Sequence, residues 1–184
     1  MHEPRVNSWF DAFSAEQQRQ LAVDRSRAAS LRGSPELARI VDVVRDHYRM
    51  PYAAISIIDK RSQLLLAERG VGIAETARST AFCAVTIQQG GQPLIVPDAR
   101  ADARFAAFDS VTGDPFVRFY AGVPIRDDAG MALGAICIAD SAPLHDTFDR
   151  ALLVAAAQEA EREIATIAPA PPPTPWRLRH EPEA

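Results

Sequence analysis

Arg118-Phe119-Tyr120-Ala121-Gly122-Val123-Pro124-Ile125, followed after a polar break by Gly130-Met131-Ala132-Leu133-Gly134-Ala135-Ile136-Cys137-Ile138-Ala139-Asp140, is the stretch that decides how this chain folds. The connecting Arg126-Asp127-Asp128-Ala129 brings charge, and the glycine after it lets the backbone reverse, so the two apolar runs are expected to pair as an antiparallel hairpin. Alternation along the first run sends Val117, Phe119, Ala121, Val123 and Ile125 to one face and Arg118, Tyr120, Gly122 and Pro124 to the other. The first of these faces is wholly apolar and is expected to pack under helices. Arg118 and Tyr120 are then left on the opposite side.

Working outward, Phe10 to Leu31 reads as a front helix, with Ser14 and Gln17 as its capping box and an incomplete apolar stripe of Phe10, Phe13 and Leu21. Gly33 breaks the chain, Ser34 caps the next helix, and Pro35 sits where its missing N–H costs nothing. Leu37, Ile40, Val41, Val44 and Tyr48 share one face of that helix. Strands are expected at Tyr52 to Ile58, at about Gln63 to Glu68 and at Leu94 to Val96. A short helix capped by Ser79 or Thr80 carries Phe82, Cys83 and Ile87 until Gly90-Gly91 stops it. Between Asp98 and Pro115 lies an irregular segment rich in Asp, Ala and Phe, and long loops inside compact domains tend to be functional.

After the hairpin, Asp146 or Thr147 is expected to start a long closing helix with Phe148, Leu152, Leu153, Ala156, Ala160, Ile164 and Ile167 directed inward or toward a partner. Its apolar residues outnumber what one sheet face needs, which predicts a homodimer through the terminal helices. The alternative is that Phe10, Phe13 and Leu21 cover that surface within one chain. From Pro169 onward the proline-rich run cannot form enough backbone hydrogen bonds to fold, so residues 169–184 are expected to be a solvated tail. Residues 1–33 form a helical extension and 34–168 the domain, of α+β class, built on one antiparallel sheet of five to six strands with terminal helices on one face.

Composition narrows the function. The chain has 184 residues, 47% hydrophobic, with a net charge of −4. No cluster of Lys or Arg offsets that charge locally, which argues against nucleic acid. No apolar run approaches membrane-spanning length, and a cytoplasmic protein is expected. Cys83 and Cys137 are too few for a disulfide scaffold and read as reduced buried thiols. The four histidines show no metal-ligand spacing, the single lysine, Lys60, lies in a turn, and no glycine-rich phosphate loop is present. The sequence names no cofactor.

Five features stand in order along the chain: Glu75-Thr76-Ala77-Arg78, Phe82-Cys83-Ala84, Pro93 to Ala99, Asp102-Ala103-Arg104-Phe105 and the hairpin. Together, over roughly Ser34 to Ile167, the chain resembles GAF domains, small-molecule sensor modules. The resemblance implies a profilin-like, GAF/PAS-type fold with the first and last helices on one sheet face and a pocket under loop cover on the other. Phe82, Cys83, Asp98, Phe105, Phe116, Arg118 and Tyr120 are the candidate ligand-binding residues. Two readings of Arg118 stand: an anion or carbonyl clamp, or a structural partner of Asp98, Asp102 or Asp114. The phenylalanines equally line a cavity or fill it.

Departures from the family pattern at Ala77, Val85, Gln63 to Leu66, Asp109-Ser110 and Leu144 remove potential ligand contacts. A bilin attachment pattern is absent because Ala84 and Val85 follow Cys83. The free methionine sulfoxide reductase pattern needs a cysteine in the covering loop, which Asp98 to Pro115 lacks. The expected function is a non-enzymatic sensory or regulatory module acting through a dimer or a signalling partner. A ligand-free interaction module is the alternative and a sulfoxide reductase the third reading.

Overall fold

A computed structural model describes residues 8–167; the proline-rich tail and the Phe10 side chain lie outside the described residues. The elements are α1 (Ser8–Ser26), α2 (Pro35–Tyr48), β1 (Tyr52–Ile58), β2 (Ser62–Arg69), β3 (Glu75–Ala77), α3 (Phe82–Thr86), β4 (Leu94–Val96), α4 (Asp109–Thr112), β5 (Phe119–Arg126), β6 (Ala132–Asp140) and α5 (Ala151–Ala165). Six antiparallel strands form one sheet in the order β3-β2-β1-β6-β5-β4.

The decisive hairpin forms as its alternation requires. Its turn is held by Asp127 Oδ1, which accepts from the backbone N–H of Ala129 at 3.0 Å and of Met131 at 2.8 Å, and Gly130 takes the left-handed φ of 81°. Phe119, Ala121, Val123 and Ile125 pack under α5, with Ile136 and Ile138 beside them from β6. Val117 differs from expectation. It precedes the strand, which begins at Phe119, and it is buried on the opposite side with Tyr120.

On the helix face, α2 buries Leu37, Ile40, Val41 and Val44 against β1 and β2. Each such burial contributes about 1.5–3 kcal/mol. Ser34 Oγ accepts from Leu37 N at 3.4 Å and Pro35 occupies the first turn, as expected. α5 starts later than the sequence suggested. Asp149, not Asp146 or Thr147, accepts from its first free N–H, that of Ala151, at 2.9 Å. Phe148 lies before the helix and tilts against Phe119 and Tyr48. Ile164 is only 4% exposed within its own chain, so the surplus apolar surface expected there is reduced to the half-buried Leu152 of α5 and Ile167 just past its end.

Two bulges shape the sheet. Leu66 is extra between Ile55/Ala67 and Ser56/Leu65, and Leu133 is extra between Ile125/Gly134 and Arg126/Ala132. Gly134 sits where β1 and β6 approach closely. A Cβ there would collide with the Ser56 carbonyl and stand 2.8 Å from Ile57 Cα, backbone that cannot move aside.

The front helix begins at Ser8, so Ser14 is a helix-interior residue and not a cap. Its docking is polar as well as apolar. Ala22 and Val23 face the core, while Arg19, 7% exposed, donates to the carbonyls of Ile58 at 2.9 Å and Ala132 at 3.3 Å. Gln20 Nε2 reaches Asp59 at 2.6 Å. Phe13 (61% exposed) and Leu21 (55% exposed) point outward, so they do not cover α5.

Glu16 completes this clamp by accepting from Arg19 at 2.9 Å and Arg78 at 2.6 Å. The Arg19 hydrogen bond, against the opposing effect of partial burial and with Arg78 helping, lowers its carboxyl from 4.5 to about 2. A depressed carboxyl stabilises the fold fully above its unfolded value, and that contribution is lost as pH falls from about 4.5 toward 2. Solvent screening leaves about 1 kcal/mol. Glu16→Gln is therefore expected to melt roughly 2–4 °C lower near neutral pH. The gap should close as acid protonates the wild-type carboxylate. Thermal melts across the range check this, and a gap independent of pH contradicts it.

Candidate functional site

The sheet face turned away from α2 and α5 carries a second core, built on Ala54, Ser56 and Ile58 of β1, Tyr120 of β5, and Ala135, Cys137 and Ala139 of β6. Small residues dominate this face of the sheet, and small side chains leave room. α3 and the covering segment roof it over. Phe82 of α3 stacks on Phe105 (centroids 4.5 Å apart, planes 8° apart) and on Tyr120 at 4.8 Å, and Phe108 meets both phenylalanines edge-on. Pairs of this geometry add about 0.5–1.5 kcal/mol beyond their burial.

Next to this aromatic stack is a cavity of about 610 Å³. Its floor is Ala54, Cys137, Ala139 and Tyr120; one wall is Gln63, Leu65, Thr76 and Ala77 from β2 and β3. Phe82 and Cys83 of α3, with Asp109, Ser110, Asp114, Pro115 and Val117 of the covering segment, close the rest. Asp109 and Asp114 are the only charged side chains among the described lining residues.

Three of the seven sequence-derived candidates, Phe82, Cys83 and Tyr120, line this cavity. The other four do not. Phe105 is fully buried behind Phe82, so it fills space instead of lining it. Asp98 is occupied by Arg100, through Arg100 Nη2 at 3.0 Å and the Arg100 backbone N–H at 3.0 Å, and that hydrogen bonding lowers its carboxyl. Phe116 stands 47% exposed, at a left-handed φ of 56°.

Arg118 follows neither expectation. Its Nη1 donates to the carbonyls of Val111 at 2.8 Å and Val117 at 2.9 Å, and its guanidinium lies 5.9 Å from the Phe116 ring. It pins the covering segment as the structural reading required, but through backbone carbonyls and not carboxylates; Asp102 is held by Arg104 instead. The covering segment is further tied to the sheet by Ala99 N to Arg118 O at 2.6 Å, and closed on itself by Val117 N to Ser110 O at 2.7 Å.

Tyr120 organises the polar corner of the cavity. Its hydroxyl lies 2.7 Å from Thr86 Oγ1 and 3.4 Å from Cys83 Sγ. Burial, with the Cys83 sulfur adding to it, pushes that hydroxyl well up, so it remains a donor. Gly122 makes the arrangement possible. A Cβ there would collide with the Tyr120 hydroxyl and come within 2.9 Å of Thr86 Oγ1.

Gln63 Nε2 donates to Cys83 Sγ at 3.5 Å, and Cys137 Sγ stands 3.6 Å from the same sulfur. The Cys137 thiol, with Ser56, Tyr120 and Gln63, holds Cys83 below the usual thiol range, while its neighbour and burial raise Cys137. Thr76 Oγ1, buried at the cavity wall, has no hydrogen-bond partner among the described residues.

Sequence reasoning missed Gln63, Thr76 and Cys137 as cavity residues. Alternation was the available signal: Cys137 is opposite Gly122 in the hairpin and Ala54 in β1, and so shares the face of Tyr120. The sequence pattern offers Thr76 only as part of the Glu-Thr-Ala-Arg motif, with no strand assigned there; in the fold it pairs with Gln63 as strand β3. The short helix also begins differently. Ala81 precedes Phe82 with no side-chain cap, because Arg78–Thr80 form a 3₁₀ turn of their own.

The sequence profile of the GAF domain matches residues 35–164. The chain belongs to the GAF domain family. A cyclic di-GMP phosphodiesterase of Pseudomonas aeruginosa is 34% identical over 128 residues, 70% of this chain but only 22% of the relative's own length. Among solved structures, the GAF domain of a phosphoenolpyruvate-protein phosphotransferase from Acinetobacter superposes with a TM-score of 0.56 at 20% identity, covering 80% of this chain and 93% of that one. A type II free methionine-R-sulfoxide reductase from Thermoplasma acidophilum does so with a TM-score of 0.59 at 14% identity, covering 76% and 95%. At these identities the structures establish the shared fold.

Of the positions where this GAF domain departs from the family pattern, Gln63, Leu65, Ala77 and Asp109-Ser110 border the cavity, while Leu64, Leu66, Val85 and Leu144 do not. Arg78, which closes the Glu-Thr-Ala-Arg motif, faces α1 and binds Glu16 and the Asp59 carbonyl. No helix among the described residues is long and apolar enough to cross a membrane.

Proposed function

We propose that this GAF domain is a non-enzymatic, cytoplasmic regulatory module that binds a small molecule in the cavity beneath α3 and the covering segment, and that the ligand is uncharged or cationic. The carrying observation is the lining itself. Among the described residues, the Thr76 hydroxyl has no protein partner and, with the Gln63 amide, borders apolar walls, and the only charged side chains there are Asp109 and Asp114. Among the described residues, an anion entering this space would meet two carboxylates and no cation, since Arg118 is spent on backbone carbonyls. An apolar body with one or two hydrogen-bonding groups fits such a site.

Ligand binding under the covering segment favours one arrangement of it. That segment is hydrogen-bonded to the chain entering β5, whose other face carries α5, so a population shift in the cover biases the helix layer. GAF membership and likeness to one portion of a much longer phosphodiesterase support a regulatory role. The sulfoxide reductase reading has less support, because the covering segment carries no cysteine.

The test is a thermal-shift panel of metabolites sorted by charge. A neutral or amine ligand at about 100 times its Kd adds about 2.7 kcal/mol, or roughly 5–10 °C. Stabilisation by anions alone contradicts the charge assignment, and no stabilisation by any class favours the ligand-free interaction module.

The partner proposed is a second copy of this chain. Phe13 and Leu21 leave apolar surface open on α1, and Ile167, just past the end of α5, is half-buried. Light scattering at micromolar concentration is expected to give twice the 20.0 kDa chain mass. Replacing Phe13 and Leu21 together by Ser is expected to give one chain mass, and a single-chain mass for the wild type contradicts the dimer.

A further inference from the structure

The cavity contains a feature that ligand binding does not require. Cys83 and Cys137 come from distant parts of the chain, α3 and β6, yet their sulfurs stand 3.6 Å apart and both residues line the cavity. A disulfide needs the sulfurs at about 2.05 Å, so closure is a matter of about 1.5 Å between side chains already in contact. The surroundings of the two thiols are unequal. Cys83 Sγ receives Tyr120 at 3.4 Å and Gln63 at 3.5 Å. Ser56 Oγ is fully buried and has no hydrogen-bond partner among the described residues. The Tyr120 and Gln63 donors favour the thiolate form, the nucleophile in thiol oxidation. Cys137 has no comparable set and is placed to follow as the second thiol.

We infer that Cys83 and Cys137 form a reversible dithiol–disulfide couple beside the cavity floor, oxidised by hydrogen peroxide that enters through the cavity. In the first step the Cys83 thiolate attacks one peroxide oxygen. The S–O bond forms, the O–O bond breaks, and the departing hydroxide takes a proton to leave as water. In the second step the Cys137 sulfur attacks the Cys83 sulfenic acid, the S–S bond forms, the S–O bond breaks, and a second water departs. Two electrons pass from the two thiols to the peroxide. A thiol reductant, by exchange through a mixed disulfide, returns both thiols.

Closing the bond ties α3 to β6 across the cavity floor and weakens the Cys83 sulfur as the acceptor to which Tyr120 and Gln63 donate. Oxidation therefore changes the shape and polarity of the space in which the ligand is proposed to sit. The couple itself does not depend on that ligand.

The experiment uses the full reduced chain, without added ligand, titrated with hydrogen peroxide and read by intact mass and thiol count. The expected result is a loss of 2 Da and of both thiols per chain, a Cys83–Cys137 cross-linked peptide on digestion, and full reversal by dithiothreitol. Cys137→Ala is expected to stop at a Cys83 sulfenic acid, 16 Da heavier and trapped by dimedone. The wild-type result stands whether or not that variant folds. Two thiols that persist under peroxide sufficient to oxidise an unstructured dithiol peptide overturn the inference. So do gains of 32 or 48 Da without the 2 Da loss, or cross-links only between chains. A failed ligand screen leaves this readout untouched.

Discussion

Phe105→Ala is expected to lower the melting temperature by roughly 10 °C, the largest loss expected from any single side chain of the covering layer. Phe105 is fully buried, stacks on Phe82 at 4.5 Å and meets Phe108 edge-on at 5.4 Å. Truncating a phenylalanine so placed costs about 3–5 kcal/mol, through lost transfer free energy and the void left behind. The void would lie behind Phe82, whose other neighbour is Tyr120 at 4.8 Å, so relaxation of the stack moves the cavity wall itself. Ligand-induced stabilisation should therefore fall along with the melting temperature. Hydrogen exchange separates a local from a global effect: amides of the covering segment should lose protection before those of β1 and β6. A shift under about 3 °C would show that the aromatic stack is not what holds the cover down.

Much of the fold was legible because it is written in short-range patterns. Tyr52–Ile58 and Leu94–Val96 are strands within the limits their apolar runs suggest, and Ser34-Pro35 starts α2 as a cap followed by a first-turn proline should. The misreadings have physical causes. Ser14 has the chemistry of a cap, but the helix is already under way at Ser8, and local chemistry cannot say which of several competent residues ends up first. Val117 breaks the expected alternation because the strand has not yet begun there.

The site was less legible, because it is assembled from tertiary contacts. Arg118 looked like a clamp for charge, since an arginine at a strand start declares its charge but not its partner; the covering segment offered it the Val111 carbonyl first. Phe105 and Phe82 are equivalent in sequence terms, and only packing makes one a filler and the other a wall. Cys83 and Cys137, 54 residues apart, read as two separate buried thiols and meet because α3 is laid across β6.

A sheet with one densely apolar face and one face of small side chains divides the domain into two layers with different tasks. On the α2–α5 side the fully buried Leu37, Ile55, Ile136 and Leu153 leave little freedom. On the other side Ala54, Cys137 and Ala139 leave the space that a cover must close. β5 belongs to both layers, presenting Phe119 and Ala121 to one and Tyr120 to the other, so a change sensed at Tyr120 has a covalent route to the helices.

The central claim is that the cavity is an occupied binding site in the working protein, and filling it is expected to abolish binding. Ala139 is at its floor, opposite Tyr52 in β1 and Tyr120 in β5, and is incompletely buried, so Ala139→Phe should project a ring into the ligand's space while the sheet register is kept. Native mass spectrometry of the full chain, purified gently from its own cells, decides the matter. The account predicts a non-covalent adduct of a few hundred daltons on the wild type, neutral or cationic once released, that is missing from a folded Ala139→Phe protein. A wild type that carries no adduct and gains none from its own cell extract, or an adduct equally present on the filled variant, would contradict it.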